Sequence, residues 1–234
     1  MNINIGCSGW FYLHWYKTFY PEGIKRSQWF KYYSSLFNTV EINSTFYTMP
    51  SEKRSITWYK NSPEHFIYAV KMNKTVTHIN KLNNCSDIIN DFINKINPLN
   101  GKLKCILYQM PPSFKKNDEN MKMVFNIPRG SFIEFRHRSW DAKSMKDIIE
   151  SGIHVVSVSS SKFPFIVNDD DILYLRFHGD KNGYMTDYND RLRYFAEKII
   201  ESGANTSYIY FNNDYNGYAP KNALKLIEII NELI

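Results

Sequence analysis

Ile172-Leu173-Tyr174-Leu175-Arg176-Phe177-His178 alternates without a break, with Leu173, Leu175 and Phe177 on one side and Tyr174, Arg176 and His178 on the other. A period of two is the signature of a strand. The apolar side suits packing against helices. The other side grows more polar toward the carboxyl end, where the open mouth of a parallel barrel tolerates polar groups pointing at its axis.

The same parity recurs along the chain. Val40 and Ile42 alternate with Glu41 and Asn43, Ile133 and Phe135 with Glu134 and Arg136, and Ile209 and Phe211 with Tyr208, Tyr210 and Asn212. Ser8, Lys71, Gln109 and Ser157 take the inward register at the ends of the remaining runs. The runs are Ile3–Cys7, Thr39–Ile42, Phe66–Lys71, Cys105–Gln109, Phe132–Phe135, His154–Val158, Ile172–Phe177 and Tyr208–Phe211. Helical signals lie between most of them: Ser27, Ser51, Ser86 and Asp141 stand as N-caps before Gln28–Phe37, Glu52–Asn61, Asp87–Ile96 and Ala142–Glu150. Gly152 and Gly203 sit where helices stop. Leu224, Ile227, Ile230 and Leu233 recur at helical spacing in Asn222–Ile234, a last helix expected to close the barrel.

Eight strands alternating with helices predict an α/β fold, a TIM-type (β/α)8 barrel, with a doubly wound open sheet as the alternative. Ser159–Asp171 holds Pro164 and a cluster of acids, which predicts an irregular loop in place of the helix between the sixth and seventh strands. The 234 residues, 43% of them hydrophobic, suffice for one barrel domain of the usual size, roughly 250 residues. No apolar run approaches the ~20 residues of a membrane span. Met1 leads at once into the strand-like Ile3-Asn4-Ile5-Gly6, so a cytoplasmic location without membrane association is expected. Cys7, Cys85 and Cys105 show no spacing that signals a disulfide framework or a zinc site. The net charge of +6 favours anionic partners, although the basic residues are dispersed.

Several strand-end segments resemble the uncharacterised YecE-like family, domain of unknown function 72. They are Ser8-Gly9-Trp10, Glu41-Ile42-Asn43-Ser44-Thr45-Phe46-Tyr47, Lys71 with Thr77-His78, Gln109 with Pro111-Pro112-Ser113, Glu134-Phe135-Arg136-His137 with Ser139-Trp140, Arg176 with His178-Gly179, and Phe211-Asn212-Asn213-Asp214. They run in order along nearly the whole chain. The resemblance implies a TIM barrel and supplies no reaction. It also has a gap: family members often carry an Asp-Ser pair after the sixth strand, where this chain reads Ser157-Val158-Ser159-Ser160.

The converging polar ends point to a ligand site at the carboxyl ends of the strands. Glu41 and Glu134 are the acid/base candidates, since two carboxylates in different surroundings divide those roles. His137 and His178 are candidate proton carriers. With Glu41, Glu134 and Asp214 they could make a mixed His/carboxylate site for a divalent metal, and no tight spacing enforces it. Lys71, Arg136 and Arg176 would stabilise negative charge. Ser8, Trp10, Asn43, Tyr47, Gln109, Trp140, Asn212, Asn213 and Asp214 complete the expected substrate contacts. The aromatic residues after the first strand, among them Phe11, Tyr12, Trp15 and Tyr16, are expected to pack a lid over the core in preference to stacking on a base or sugar. The leading expectation is an enzyme, a hydrolase or isomerase, acting on an anionic, phosphate-bearing small molecule. The alternatives are a nucleic-acid-binding protein without catalysis and a metal-assisted nuclease.

Overall fold

A computed structural model describes residues 1–160, 170–179 and 184–234. Among these residues there are nine strands: β1 (Asn2–Cys7), β2 (Thr39–Ile42), β3 (Ile67–Lys71), β4 (Leu103–Gln109), β5 (Phe132–Glu134), β6 (His154–Val155), β7 (Ser157–Ser160), β8 (Ile172–Gly179) and β9 (Thr206–Phe211). The α-helices are α1 (Trp29–Leu36), α2 (Ser44–Tyr47), α3 (Glu52–Asn61), α4 (Ser86–Ile96), α5 (Asp118–Phe125), α6 (Ala142–Glu150), α7 (Leu192–Glu201) and α8 (Tyr218–Leu233). The chain gathers into two compact units, residues 1–41 with 157–234 and residues 42–156.

In the first unit the strands run in the order β2, β1, β9, β8, β7, all paired parallel. One face is apolar: Ile5, Leu175, Phe177, Ile209 and Phe211 are buried there, and Phe177 stacks on Phe211 at 4.3 Å and meets Phe195 of α7 edge-on at 4.9 Å. The seam between β1 and β2 is closed by one hydroxyl. Tyr33 accepts from Cys7 N at 2.8 Å and donates to Thr39 O at 2.9 Å, with the ring wholly buried. Gly6 passes so close to this seam that a Cβ there would stand 2.3 Å from Thr39 O and 2.8 Å from the Tyr33 hydroxyl. Of the aromatic residues expected to form a lid after β1, Trp15 is buried and Tyr12 half-buried, whereas Phe11 and Tyr16 are exposed. Trp15, Tyr20 and Trp29 are buried, Tyr20 stacks on Trp29 at 4.5 Å, and Trp15 Nε1 donates to Asp214 O at 2.8 Å.

The second unit holds β3, β4, β5 and β6, again parallel and adjacent in that order. Its helices start with explicit caps. The Ser51 hydroxyl accepts from Arg54 N ahead of α3, and Asp141 and Ser144 form a reciprocal capping box on α6, both where the sequence places them. Ser27 and Ser86 do not cap. A 3-10 turn, Arg26–Gln28, precedes α1, and Ser86 is already the first residue of α4. Asn117 caps α5 by accepting from Asn120 N at 2.7 Å. Asn117→Ala is expected to cost about 1 kcal/mol and lower Tm by roughly 2–4 °C, readable by calorimetry.

Two strand expectations change. The run His154–Val158 is two strands: β6 pairs with β5, β7 pairs with β8, and Val156 separates them. Val158, not Ser157, stands opposite Arg176, so Ser157 lies on the apolar face with Leu175. A serine is small enough to be buried against that face, and its polarity misled the parity reading. The irregular loop expected within Ser159–Asp171 falls largely on residues 161–169, outside the described residues. No helix among the described residues is long and apolar enough to cross a membrane.

Candidate functional site

The polar face of the first unit is organised around a buried ion pair. Glu41 and Arg176, on β2 and β8, are both inaccessible to solvent. Arg176 Nη2 donates to Glu41 Oε1 at 2.7 Å, Ser8 Oγ donates to the same oxygen at 2.7 Å, and the Tyr174 hydroxyl donates to Oε2 at 2.6 Å. Burial by itself pushes the carboxyl upward. The Arg176 charge and hydrogen bond, with those of Tyr174 and Ser8, outweigh it and hold Glu41 below the ordinary carboxylate value. Glu41 is therefore ionised at neutral pH, with both oxygens engaged.

The network extends to His178 at the end of β8. Arg176 Nη1 lies 3.0 Å from His178 Nε2, and because a guanidinium can only donate, Nε2 accepts. A neutral ring then carries its proton on Nδ1, 3.1 Å from Asn212 Nδ2; turning that side-chain amide over brings its oxygen to the same place, where it accepts the proton. Ser8, Glu41, Arg176, His178 and Asn212 are thus brought together as the parity argument requires. Tyr174 joins them; the alternation put it on this face, but nothing in its residue type marked it as a partner of Glu41.

The neighbouring candidates in this unit serve other contacts. Asn213 is wholly buried and donates to Thr186 O and Asn222 Oδ1, both at 2.8 Å, tying the end of β9 to α8. Asp214 faces His14, whose Nε2 is 3.3 Å from its Oδ2, and burial raises its carboxyl. Trp10 is half-buried and packs on Phe30 at 4.9 Å.

In the second unit a different polar cluster forms at the ends of β3, β4 and β5. Gln109 and Glu134 are register partners, and Lys71 Nζ donates to Gln109 Oε1 at 3.0 Å. Arg136 pairs through Nε with the fully buried Glu134. Lys71 also lies over the Phe46 ring, 4.3 Å from its centroid, a cation–π arrangement. Thr45 fixes this contact by donating from Oγ1 to Lys71 O at 2.6 Å, while Asn73 Nδ2 donates to Thr45 O at 2.9 Å. The segment from Ser44 to Tyr47 therefore works as a clamp on the end of β3. Asn43 precedes it with its Oδ1 buried and without a partner, and Tyr47 is exposed. His137 bonds locally to Ser139, 2.8 Å from Nδ1 to Oγ. Trp140 is buried, stacked on Phe135 at 3.9 Å, with Nε1 donating to Phe114 O at 2.9 Å.

Among the described residues no three His, Cys, Asp or Glu side chains gather as a metal-ligand set. Glu41 and Glu134 are each engaged by an arginine, His137 by a serine, and Asp214 by His14. The residue that sequence reasoning passed over is His78, on the turn after β3. It was visible only as part of the Thr77-His78 pair that accompanies Lys71.

The profile of a family described as "Protein of unknown function DUF72" matches residues 4–233. The chain is 24% identical to the UPF0759 protein YunF of Bacillus subtilis over 97% of its own length and 94% of that protein. It is 27% identical to the UPF0759 protein YecE of Escherichia coli over 52% of its length and 47% of that protein. A solved DUF72 family protein from Thermotoga maritima superposes with a TM-score of 0.87 at 29% identity, covering 99% of this chain and all of the other. Another, from Enterococcus faecalis, gives 0.82 at 23% identity, covering 98% and 95%, and supports the fold alone. The fold is the α/β barrel of the TIM type that the alternating runs imply.

Proposed function

Because the chain belongs to the DUF72 family, whose description assigns no reaction, we propose a function from its own residues: an enzyme, a hydrolase or isomerase, acting on an anionic, phosphate-bearing small molecule. The observation that carries this reading is the cluster at the ends of β3, β4 and β5, where Arg136 pairs with Glu134 and Lys71 is held by Gln109, the register partner of Glu134. A phosphate group is a better partner for this arrangement than a neutral ligand. It can take Lys71 as a point charge and the Arg136 guanidinium as a planar fork. Gln109 orients Lys71. A phosphate that competes for Arg136 turns the Glu134 carboxylate toward the substrate, where it acts as acid or base. Glu41 has a different part in this reading: held ionised by three donors, it anchors Arg176 and through it His178.

Thermal shift against inorganic phosphate, sugar phosphates, nucleotides and short RNA tests the proposal. A phosphorylated small molecule at about 100 times its Kd is expected to raise Tm by roughly 5–10 °C, and Lys71→Met to abolish the rise. If only RNA stabilises the protein, and the effect disappears by moderate salt, the nucleic-acid-binding alternative replaces it. No shift with any phosphorylated compound sinks the reading.

A further inference from the structure

Resting on that reading and deepening it, we infer that His78 is the proton-transfer residue of the Lys71–Arg136 site, acting through Nε2 on a hydroxyl of the phosphate-bearing substrate. Its ring is built into position. Thr75–Ile79 form a single π-helical turn, a geometry that recurs at functional sites. Asn73, itself buried, ties the start of that turn to the clamp on β3: its Oδ1 accepts from Thr75 N at 3.0 Å while its Nδ2 serves Thr45. The Phe46 ring that carries Lys71 on its face also meets the His78 ring nearly at right angles, with centroids 4.8 Å apart. One aromatic side chain thus spaces the ammonium from the imidazole.

The hydrogen bonds select the tautomer. Thr77 Oγ1 lies 2.9 Å from His78 Nδ1 and 3.5 Å from Asn73 O. With the hydroxyl proton directed to that carbonyl, the oxygen accepts from Nδ1–H, and the lone pair is left on Nε2. Among the described residues no protein atom bonds Nε2, and the ring is half-buried. Burial, then the charges of Lys71 on β3 and Arg136 beyond β5, lower the affinity of this imidazole for a proton, which keeps it neutral and basic at neutral pH. Glu134, the acidic group of the cluster, pairs with Arg136.

The step is a simple proton transfer. The O–H bond of the substrate hydroxyl breaks, its electron pair stays on oxygen, and an N–H bond forms at Nε2. The imidazolium that results is repelled by Lys71 and Arg136, so it is stable only while the anionic substrate offsets those charges, and it returns the proton to solvent or product afterwards. Proton uptake and anion binding are therefore coupled.

The test uses histidine-labelled protein, inorganic phosphate as the probe, and NMR of the ring nitrogens, with the His78 signals assigned through His78→Gln. The free protein is expected to show His78 titrating below the ordinary histidine value of 6.5, with its neutral proton on Nδ1. Saturating phosphate is expected to move that titration upward by about one pH unit, which corresponds to a roughly tenfold preference of phosphate for the protonated ring. Lys71→Met should raise it without phosphate, and Thr77→Ala should release the tautomer. Phosphate binding that depends on Lys71 but leaves the His78 titration unmoved overturns this inference and spares the anion site. A neutral proton found on Nε2 also overturns it. Absence of phosphate binding, or binding indifferent to Lys71→Met, overturns the site and the inference together.

Discussion

Glu41→Ala is expected to remove about 3–5 kcal/mol of folding stability, the largest loss of any single substitution considered, because it leaves Arg176 charged in a place without water. A domain of ordinary stability, about 5–15 kcal/mol, loses a large share of its margin by that change. The cost belongs to the orphaned charge and not to the pair as such. Glu41→Leu combined with Arg176→Met should accordingly recover much of the loss, since apolar replacement of a whole buried pair is often neutral. Urea unfolding of the single and double variants measures both. A Glu41→Ala cost of the size of a surface substitution, below about 0.5 kcal/mol, would show that the pair is not sealed from solvent.

The same pair gives stability a definite pH dependence. The Glu41 carboxyl is lower in the folded protein than its ordinary value of 4.5. Its contribution is therefore complete above the unfolded value and is lost as pH falls from there through the lower folded value. Acid unfolding should be displaced in Glu41→Gln, which keeps the shape and loses the titration.

Gly6→Ala is the second severe change, expected to cost about 3 kcal/mol, the upper end for forcing one extra carbon into a packed interior. The carbon would stand 2.3 Å from a backbone oxygen, which no side-chain rotation relieves. To admit it, β1 and β2 must separate at the point that Tyr33 bridges. Gly101→Ala is the control. Nothing stands within 4 Å of the carbon it adds, so it should be neutral or slightly stabilising. Equal Tm values for the two variants would contradict the close approach.

Period-two alternation made most strands legible. Thr39–Ile42 coincides with β2, the shared register of Lys71, Gln109 and Glu134 agrees with the observed strand partners, and Glu41 and His178 both bond to Arg176 as their common parity implies. The Glu52–Asn61 and Ala142–Glu150 helices were legible through their caps. The break at Val156 was not, because His154–Val158 reads as one β-rich run and the interruption lies in pairing, to which residue type is blind. Partnership within the site was equally hidden. Glu41 and Arg176 are 135 positions apart, and pattern alone places both on polar faces without saying that they meet. Trp140 shows the opposite case: an aromatic residue beside a polar motif reads as a ligand contact, whereas its indole is spent on Phe114 and Phe135.

The turn Thr75–Ile79 has a meaning for chain length that no substitution can probe. A π turn holds one residue more than an α turn, and each α-helical residue turns the chain by about 100°. Deleting a single position there, even with every named side chain retained, would let the turn relax to α geometry and swing His78 away from Phe46 by roughly that angle. The spacing between Lys71 and His78 is thus a fixed length of backbone, and a homologue shorter by one residue in this interval would need some other group facing its lysine.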